Sequence, residues 1–537
     1  MSLTQVGDRE RGWWVVPELK AWRSARPQVM RVARSVGPQL VRAVGAVKSP
    51  LVRAAGAVKP LVTRPSTVQF TTGAATLGLI VAATVVTAAG PWDSTGQRTA
   101  ERDWAASRED SGGADHGHVS GTSGKAPAPA PSAASVLAGL AGAGTAPTER
   151  ALADALGPLL ADPSLGSSRS AAVVDMATGE RLYGKGAGDA LTPASTTKIA
   201  TAVAVLAAAG PDHRIETRVV LEPGTDEVVL VGGGDPTLTA RKDADGNASL
   251  RDLADATARA LRGRTSGEVT LSYDTSLYEG PTVHPIGPNP NLAPVVALMA
   301  DEGRKNDSTA GPAARSTDPA ADAARAFAGF LKDRGVRTTV PGPSKATGRA
   351  KELAAVTSPP LSALVERMLT SSDNDIAEAL ARRTAVVGGG PASFQGGSAA
   401  VREQLKKLEL PLKGAKFADG SGLDRADKLT ADLLTALLAK AADPDHPELR
   451  PALTGLPVAG FTGTLTKRYA GQSGTGVVRA KTGTLTGVHA LAGTVVDSDG
   501  RLLAFAFLSF SDPPTEPTAT QRALDRLASA LAGCGCR

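Results

Sequence analysis

The sequence predicts a layered α+β domain that follows a transmembrane helix, and three observations support this prediction. Helix-like and strand-like segments alternate from about residue 146 to the C-terminus, as in folds where helices cover an antiparallel sheet. Residues 70–90 form an uncharged, mostly apolar run that is long enough to cross a bilayer core as a helix. Residues 91–145 have a Gly-, Ser- and Pro-rich composition, which is typical of a disordered linker.

Length and composition indicate a large globular protein with an aliphatic core. The chain has 537 residues, of which 42% are hydrophobic, 21% charged and 3% aromatic. Its two cysteines are Cys534 and Cys536, so the fold is not a disulfide-based scaffold. A terminal disulfide, a thiol pair and half of a metal site all remain open for this pair. We predict no catalytic role for it, because no further cysteine completes a metal cage.

The positive charge of the chain is confined to its N-terminus. Residues 1–69 hold 12 Lys and Arg against 3 Asp and Glu, whereas the rest of the chain holds 47 against 50. The folded part is therefore slightly acidic, which gives no electrostatic support to nucleic-acid binding. A basic segment before an apolar span stays in the cytoplasm. We therefore predict a cytoplasmic tail at 1–69, an uncleaved signal anchor at 70–90 and an extracytoplasmic folded part.

Other interpretations of the N-terminus stay open. The apolar run also suits a buried core helix or a cleaved signal peptide. However, its basic leader is far longer than an ordinary n-region, and Pro91 suits cleavage after Gly90 poorly. The tail repeats residues 41–48 loosely at 52–59; it either lies on the anionic inner leaflet or is disordered.

The elements of the folded part are predicted in chain order. Thr148 caps a first helix, and residues 170–175 and 181–183 form two strands around a glycine-containing turn. A second helix opens at residues 192–194 and ends at Gly210. At the C-terminal end, residues 477–480, 491–496 and 502–510 are strands, and 518–531 is a closing helix.

The first of three short motifs is Ser195-Thr-Thr-Lys198, which lies in the first turn of the second predicted helix. Lys198 then lies one turn after Ser195 on the same face. An amine with a lowered pKa can take the proton of the serine hydroxyl, and Lys481 is the predicted second cation that lowers it. The helix N-terminus suits the oxyanion formed when Ser195 attacks a carbonyl. A cap-region serine beside a solvated lysine is the simpler alternative.

The second motif, Ser372-Asp-Asn374, precedes an amphipathic helix. All three residue types favour helix caps, which is the structural alternative for this motif. As part of a site, Ser372 relays a proton to a leaving amine and Asn374 holds Lys198 and a substrate amide. Asp373 points away and supports the loop.

The third motif, Lys481-Thr-Gly-Thr484, lies on a predicted strand. Lys481 and the hydroxyls of Thr482 and Thr484 suit a terminal carboxylate of a substrate. Gly483 lets a substrate backbone approach closely. The backbone N–H of Thr484 can join that of Ser195 in an oxyanion hole. Ordinary surface strand residues are the alternative.

Together, and in this order, the motifs resemble those of the penicillin-binding protein and serine β-lactamase superfamily. They are most similar to those of low-molecular-mass class C D-alanyl-D-alanine carboxypeptidases/endopeptidases. The resemblance covers about residues 146–537 and implies an antiparallel five-stranded sheet packed by helices. It also implies a domain inserted between Ser195 and Ser372, which are 177 positions apart. We place this inserted domain at 216–350 and the peptidase domain at 146–215 and 351–537.

The resemblance implies an enzyme that cleaves the D-Ala–D-Ala bond of peptidoglycan stem peptides, or the crosslinking DD-amide, through an acyl-Ser195 intermediate. β-Lactam antibiotics are the implied covalent inhibitors, and no cofactor or metal is implied. Arg425 is a candidate for binding a carboxylate of the stem peptide, with Asp274 and Tyr278 as further candidates. All three residue types are also usual in turns and surface ion pairs.

Three other functions are weighed against this one. A β-lactamase of the commonest type carries a Glu-x-x-Leu-Asn loop, which is missing between Ser372 and Lys481. A catalytically decayed wall-binding protein is disfavoured by the intact motifs. A Ser-His-Asp hydrolase is disfavoured because none of the six histidines accompanies a Gly-x-Ser-x-Gly elbow; His489, the one nearest a motif, is predicted to pack within a strand.

Overall fold

The computed structural model describes residues 146–263 and 268–535. The predicted tail, anchor and linker at 1–145 lie outside these residues. Within them, no helix combines the length and the apolar composition that a membrane span requires.

The α-helices of the described residues surround two sheets. They are α1 (Glu149–Leu160), α2 (Thr197–Ala209), α3 (Leu250–Leu261), α4 (Pro319–Asp333), α5 (Leu361–Ser371), α6 (Asn374–Val387), α7 (Phe394–Lys407), α8 (Ala431–Ala442), α9 (Pro451–Thr454) and α10 (Pro517–Ala532).

The strands lie at both ends of the described chain and in its middle. They are β1 (Ser168–Asp175), β2 (Arg181–Lys185), β3 (Glu216–Leu221), β4 (Glu227–Val231), β5 (Glu268–Asp274), β6 (Arg337–Thr338), β7 (Gly342–Pro343), β8 (Lys351–Thr357), β9 (Val478–Leu485), β10 (Val488–Val496) and β11 (Leu502–Phe510).

One sheet joins the first strands of the described chain to the last. Its order is β2-β1-β11-β10-β9, and its neighbouring strands are antiparallel. β10 and β11 pair without a shift in register, from Val488 opposite Phe510 to Val496 opposite Leu502. This confirms the predicted α+β class with an antiparallel sheet.

The two faces of this sheet carry side chains of different size. Ala492 and Ala506 face the core that contains helix α2, whereas Phe505, Phe507 and Leu491 face the core under α1 and α10. Successive strand residues point to opposite faces, so this alternation separates the two cores. The face with the small alanine side chains lets α2 approach the sheet closely, and residues Thr197 to Leu206 of α2 are all buried.

A second sheet is built from the strands between residues 216 and 357, in the order β6-β5-β4-β3-β8, with β7 beside β5. β4 and β5 are parallel, which requires a crossover connection, and α3 lies in that connection. Helices α3 and α4 pack on this sheet around Leu253 and Phe327.

The edge of the second sheet corrects one boundary predicted from the sequence. We expected the peptidase domain to resume at residue 351, but β8 (Lys351–Thr357) pairs with β3 from Thr357 opposite Glu216 to Lys351 opposite Leu221. The segment that carries the second sheet therefore extends to residue 357. The strand pattern of β8 was readable in the sequence, but a strand pattern does not identify its partner.

Of the alternatives left open for the two cysteines, the structure supports a disulfide. Cys534 is buried and is disulfide-bonded. It packs in the core under α1 and α10.

Replacing Phe505 with alanine is expected to lower the free energy of unfolding by about 3–5 kcal/mol, because it leaves a cavity in a fully buried layer. The matched control is Val340→Ala, at a side chain that is 88% exposed, with an expected change within about 0.5 kcal/mol. Urea denaturation followed by far-UV circular dichroism measures both. Similar losses in the two variants would contradict the assignment of Phe505 to the core.

Candidate active site

Ser195 lies at the entrance to helix α2. It occupies a 3₁₀ turn (Ala194–Thr196) immediately before α2, whereas the sequence predicted the first α-helical turn. Ala194 has a left-handed backbone with φ of 48°, a strained conformation that is frequent at functional sites. The chain can pass close to this turn at Gly422, where a Cβ would lie 1.9 Å from the Ala194 carbonyl oxygen.

Lys198 is fully buried and its Nζ has three hydrogen-bond partners. These are Ser195 Oγ at 3.0 Å, Asn374 Oδ1 at 2.7 Å and the Ser421 carbonyl at 2.7 Å. A neutral amine has two N–H groups and one lone pair. Because the two carbonyl oxygens can only accept, they take the two N–H groups and leave the lone pair directed at the Ser195 hydroxyl.

Burial lowers the pKa of Lys198 to about 8, although the carboxylates of Asp419 and Glu378 oppose this shift. Burial is thus the main cause, and the predicted repulsion between Lys198 and Lys481 acts on the pair as well. Burial also lowers the pKa of Lys481 well below its ordinary value, and there the Lys198 charge contributes. A lowered pKa gives a useful fraction of neutral Lys198 near neutral pH.

The second motif connects helices α5 and α6. Ser372 caps the C-terminus of α5 in a left-handed conformation with φ of 58°, and Asp373 caps α6 by accepting the N–H of Ile376 at 3.0 Å. The predicted turn is confirmed; Asp373 supports it as a cap, although it also lines the site cavity instead of pointing away from it. The reversal directs Ser372 Oγ to Lys481 Nζ, which donates to it at 2.9 Å.

The third motif lies on strand β9 at the edge of the first sheet. Lys481 is fully buried, and its Nζ also donates to the Thr482 carbonyl at 2.8 Å. The hydroxyl of Thr482 donates to that of Thr464 at 3.0 Å.

Gly483 lies against the backbone that precedes Ser195. A Cβ at this position would lie 2.5 Å from the Pro193 carbonyl oxygen, so the glycine admits the backbone that precedes Ser195. The predicted approach of a substrate backbone to Gly483 stays a prediction. A side chain here would push β9 away from the Ser195 turn.

A cavity of about 270 Å³ joins the three motifs. Ser195, Ser372, Asn374 and Thr484 all line it, and Lys198 and Lys481 lie directly behind Ser195 and Ser372. Its other lining residues are Asn291, Arg304, Gly311, Arg315, Ser371, Asp373, Asp375, Leu423 and Leu485. The structure therefore brings together all five predicted catalytic residues.

The three predicted substrate-binding residues outside the motifs are not among the residues that line this cavity. Asp274 lines a separate cavity, and its two carboxylate oxygens accept the N–H groups of Ser276 and Ala346. Tyr278 packs beside the guanidinium of Arg382. Arg425 is exposed and donates to the Thr486 carbonyl at 2.6 Å. The carboxylate of Asp274 is thus bonded to backbone groups, and the substrate contacts predicted for these three residues stay predictions.

Two contributors to the site were missed. The Ser421 carbonyl binds Lys198, and the Asn291 carbonyl accepts from Asn374 Nδ2 at 3.0 Å. Both act through backbone oxygens, so no side-chain pattern could reveal them. The glycine-rich stretch 419–423 could have indicated the contact of the Ser421 carbonyl with Lys198. The Pro-Asn repeat at 288–291 gives no signal for the contact of the Asn291 carbonyl with Asn374.

Two groups of buried carboxylate and histidine side chains have a spacing that would suit a cation. They are His284, Glu378 and Asp419, and Glu302, Asp373 and Asp375. Glu302 contacts Arg304 and Arg367, and Asp375 contacts Arg315. Asp419 accepts from His284 and from backbone N–H groups. The carboxylates of Glu302, Asp375 and Asp419 thus already have arginine, histidine or backbone N–H partners within the chain itself.

Fold and site define a serine acyl-transfer enzyme in which a buried lysine serves the nucleophile. The chain belongs to the D-Ala-D-Ala carboxypeptidase 3 (S13) family, whose sequence model matches residues 152–314 and 305–531. The family resemblance inferred from the three motifs is confirmed.

Curated relatives agree with this membership. The chain is 40% identical over 408 residues to carboxypeptidase DacB of Mycolicibacterium smegmatis, which covers 73% of this chain and 85% of that protein. A carboxypeptidase of Mycobacterium tuberculosis is 38% identical, with 78% and 92% covered. The D-alanyl-D-alanine carboxypeptidase of an Actinomadura species is 30% identical, with 68% and 82% covered.

The fold is similar to that of penicillin-binding protein 4 (DacB) of Haemophilus influenzae. The crystal structure of that protein superposes with a TM-score of 0.57 at 22% identity and covers 71% of this chain and 98% of that chain. Its complex with a β-lactam gives a TM-score of 0.55 at 21% identity. At this identity the similarity establishes the fold.

Acylation of Ser195 is expected to accelerate with pH and to level off above pH 8. Only neutral Lys198 can take the serine proton, so below its pKa of about 8 the rate falls about tenfold for each pH unit. Stopped-flow acylation by benzylpenicillin between pH 5.5 and 9.5 measures the profile. The control is Lys198→Arg, which keeps the charge but cannot lose its proton and should not acylate. A flat profile would show that Lys198 is not the base.

Proposed function

We propose that the chain is a serine DD-carboxypeptidase/endopeptidase that cleaves the D-Ala–D-Ala bond or the crosslinking DD-amide of peptidoglycan stem peptides through an acyl-Ser195 intermediate. One observation carries the proposal: Lys198 Nζ lies 3.0 Å from Ser195 Oγ, while two carbonyl oxygens occupy its other directions. Membership of the S13 family and the carboxypeptidase activity for which its relatives are named supply the substrate class.

Acylation begins when Ser195 Oγ attacks the carbonyl carbon of the scissile amide and its proton passes to Lys198 Nζ. The tetrahedral oxyanion is stabilised by the backbone N–H groups of Ser195 and Thr484, which both line the cavity. Collapse breaks the C–N bond, and the proton that Lys198 received passes through the Ser372 hydroxyl, which Lys481 contacts, to the leaving amine, so that Lys198 is neutral again. Water then hydrolyses the ester, with Lys198 again accepting a proton.

Lys481 and the hydroxyls of Thr482 and Thr484 bind the terminal carboxylate of the substrate in this proposal. Lys481 has a lowered pKa because of its burial and of the Lys198 charge. An arriving carboxylate favours the protonated form of Lys481. Substrate binding therefore gives Lys481 its charge at the moment when a carboxylate is present to balance it.

Inhibition by β-lactams follows from the same geometry, because the strained amide of a penicillin presents a carbonyl and a carboxylate to the same groups. The solved complex of the Haemophilus influenzae protein with a β-lactam supports this part of the proposal. Arg425, near the turn between β9 and β10, remains a proposed contact for a substrate carboxylate, as Tyr278 does.

The proposed domain organisation has a peptidase domain interrupted by an inserted domain. The inserted domain is placed at 216–357, because β8 completes its sheet. The proposed location is the wall side of the cell membrane, with 70–90 as the anchor and 1–69 in the cytoplasm. The apolar run, the preceding basic tail and the Pro-rich linker of the sequence support this location.

A fluorescent penicillin is expected to form a stable adduct on Ser195 of the full-length chain, because Lys198 activates this hydroxyl. Ser195→Ala removes the nucleophile and should abolish labelling, whereas Ser498→Ala, at an exposed turn, should leave it unchanged. Gel fluorescence and mass spectrometry of the labelled peptide measure the adduct. A folded chain that takes no label would favour a decayed wall-binding protein, and rapid turnover of the drug would favour a β-lactamase.

The substrate class is tested on the same preparations with a pentapeptide ending in D-Ala-D-Ala and with a crosslinked dimer. Release of D-Ala from the first is carboxypeptidase activity, and cleavage of the second is endopeptidase activity. A pentapeptide ending in L-Ala is the matched control. Activity on neither D-Ala substrate from a chain that labels with penicillin would contradict the assigned substrate.

Removing residues 1–90 is expected to move the protein from the membrane fraction to the soluble fraction after cell lysis, because it deletes the proposed anchor. Deletion of 1–69 alone is the control and should leave the protein in the membrane fraction. Immunoblots of sedimented and soluble fractions measure the distribution. Retention of the 1–90 deletion at the membrane would contradict the anchor.

A further inference from the structure

One stretch of the second-sheet region reaches the two loops that hold Lys198. Residues 278–295, named here the crossing segment, leave β5 and run against α6 and the start of α7. The Glu279 N–H donates to the Ala392 carbonyl at 3.1 Å, and the Ala293 N–H donates to Asp375 Oδ1 at 2.9 Å. The crossing segment is therefore attached to the part of the chain that carries α6 and α7 near both of its ends.

Arg382 of α6 anchors the start of the crossing segment. Its guanidinium carbon lies 5.0 Å from the centre of the Tyr278 ring and 4.4 Å from that of Phe394. Its Nη1 donates to the Ala392 carbonyl at 2.9 Å. A cation between two aromatic rings, away from water, is a strong and directional contact.

His284 is the first contact of the crossing segment with the environment of Lys198. It is only 3% exposed, and its ring meets that of Phe394 edge-on at 5.0 Å. The Ile286 N–H donates to Nδ1 at 3.3 Å, which leaves the ring proton on Nε2. Nε2 therefore donates to Asp419 Oδ2, at 3.1 Å.

Asp419 in turn shapes the loop that binds Lys198. Its Oδ1 accepts the N–H groups of Ser421 at 3.0 Å and Gly422 at 2.5 Å, and its Oδ2 accepts that of Asp424 at 2.7 Å. These bonds wrap the loop around one carboxylate and direct the Ser421 carbonyl to Lys198.

Asn291 is the second contact. Its carbonyl accepts from Asn374 Nδ2, which orients the Asn374 amide so that Oδ1 faces Lys198 Nζ. Each of the two carbonyl oxygens that bind Lys198 is thus held by one residue of the crossing segment.

We propose that the crossing segment sets the orientation of Lys198, with His284 as a positioning residue that acts through Asp419 and the Ser421 carbonyl. This inference rests on the proposed acyl-transfer function, in which the Lys198 lone pair must face Ser195 Oγ. Without the Nε2 donor, the Asp419 carboxylate loses its contact with the crossing segment, and it can turn together with the loop that is bonded to it. The Ser421 carbonyl then shifts, and the amine is no longer aligned with the hydroxyl.

The test uses His284→Phe and His284→Gln in the full-length chain. Phenylalanine keeps the ring without a donor, and glutamine restores an N–H donor. Stopped-flow measurements with benzylpenicillin separate the initial binding constant from the acylation rate constant. For His284→Phe we expect the acylation rate constant to fall about 10- to 100-fold, as for other small misplacements of reacting groups, with binding changed less than about twofold. His284→Gln should recover most of the rate.

Phe327→Leu, in the core of the second sheet, is the matched control, which should lower the melting temperature without slowing acylation. If His284→Phe does not fold, His284→Asn replaces it, because its shorter amide withdraws the donor from Asp419. A parent chain that does not acylate would contradict the proposed function itself. With an active parent, the positioning role is overturned if the variant lacking the donor acylates at the parent rate, or if His284→Gln is as slow as that variant.

Discussion

The burial of Lys198 is the constraint on which the rest of the site depends. A charged amine removed from water requires polar partners or a lowered pKa, and this side chain has both. Two of its three hydrogen-bond partners are carbonyl oxygens, which can only accept. The lone pair of the neutral amine is therefore directed toward Ser195. One buried side chain thereby couples nucleophile activation to the positions of two loops that are distant in sequence.

Small residues make this arrangement possible. The alanine face of the first sheet lets α2 lie close to β10 and β11, and this places Lys198 within reach of the motifs on α6 and β9. Gly422 and Gly483 admit the backbone on either side of the strained Ala194. A larger side chain at these positions would separate the Ser195 turn from its partners, even with the three motifs intact.

Much of this organisation was predictable from local patterns. The caps at Thr148 and Asp373, the end of α2 at Gly210 and the strand β11 all follow from residue types at short spacing. The end of the inserted segment was misplaced because β8 is specified by its pairing with β3, 130 or more positions away. A sequence also does not show that backbone N–H groups bind the carboxylate of Asp274.

The sequence by itself determined the family, the three motifs and the kind of element that carries each one, since these depend on residue types at short separations. Only the tertiary structure decided what surrounds Lys198. Ser421, Asn291 and His284 reach it, directly or through one or two neighbours, across more than 80 positions of the chain. Two of them act through backbone carbonyls, whose direction depends on long-range packing and is not encoded in any side-chain pattern.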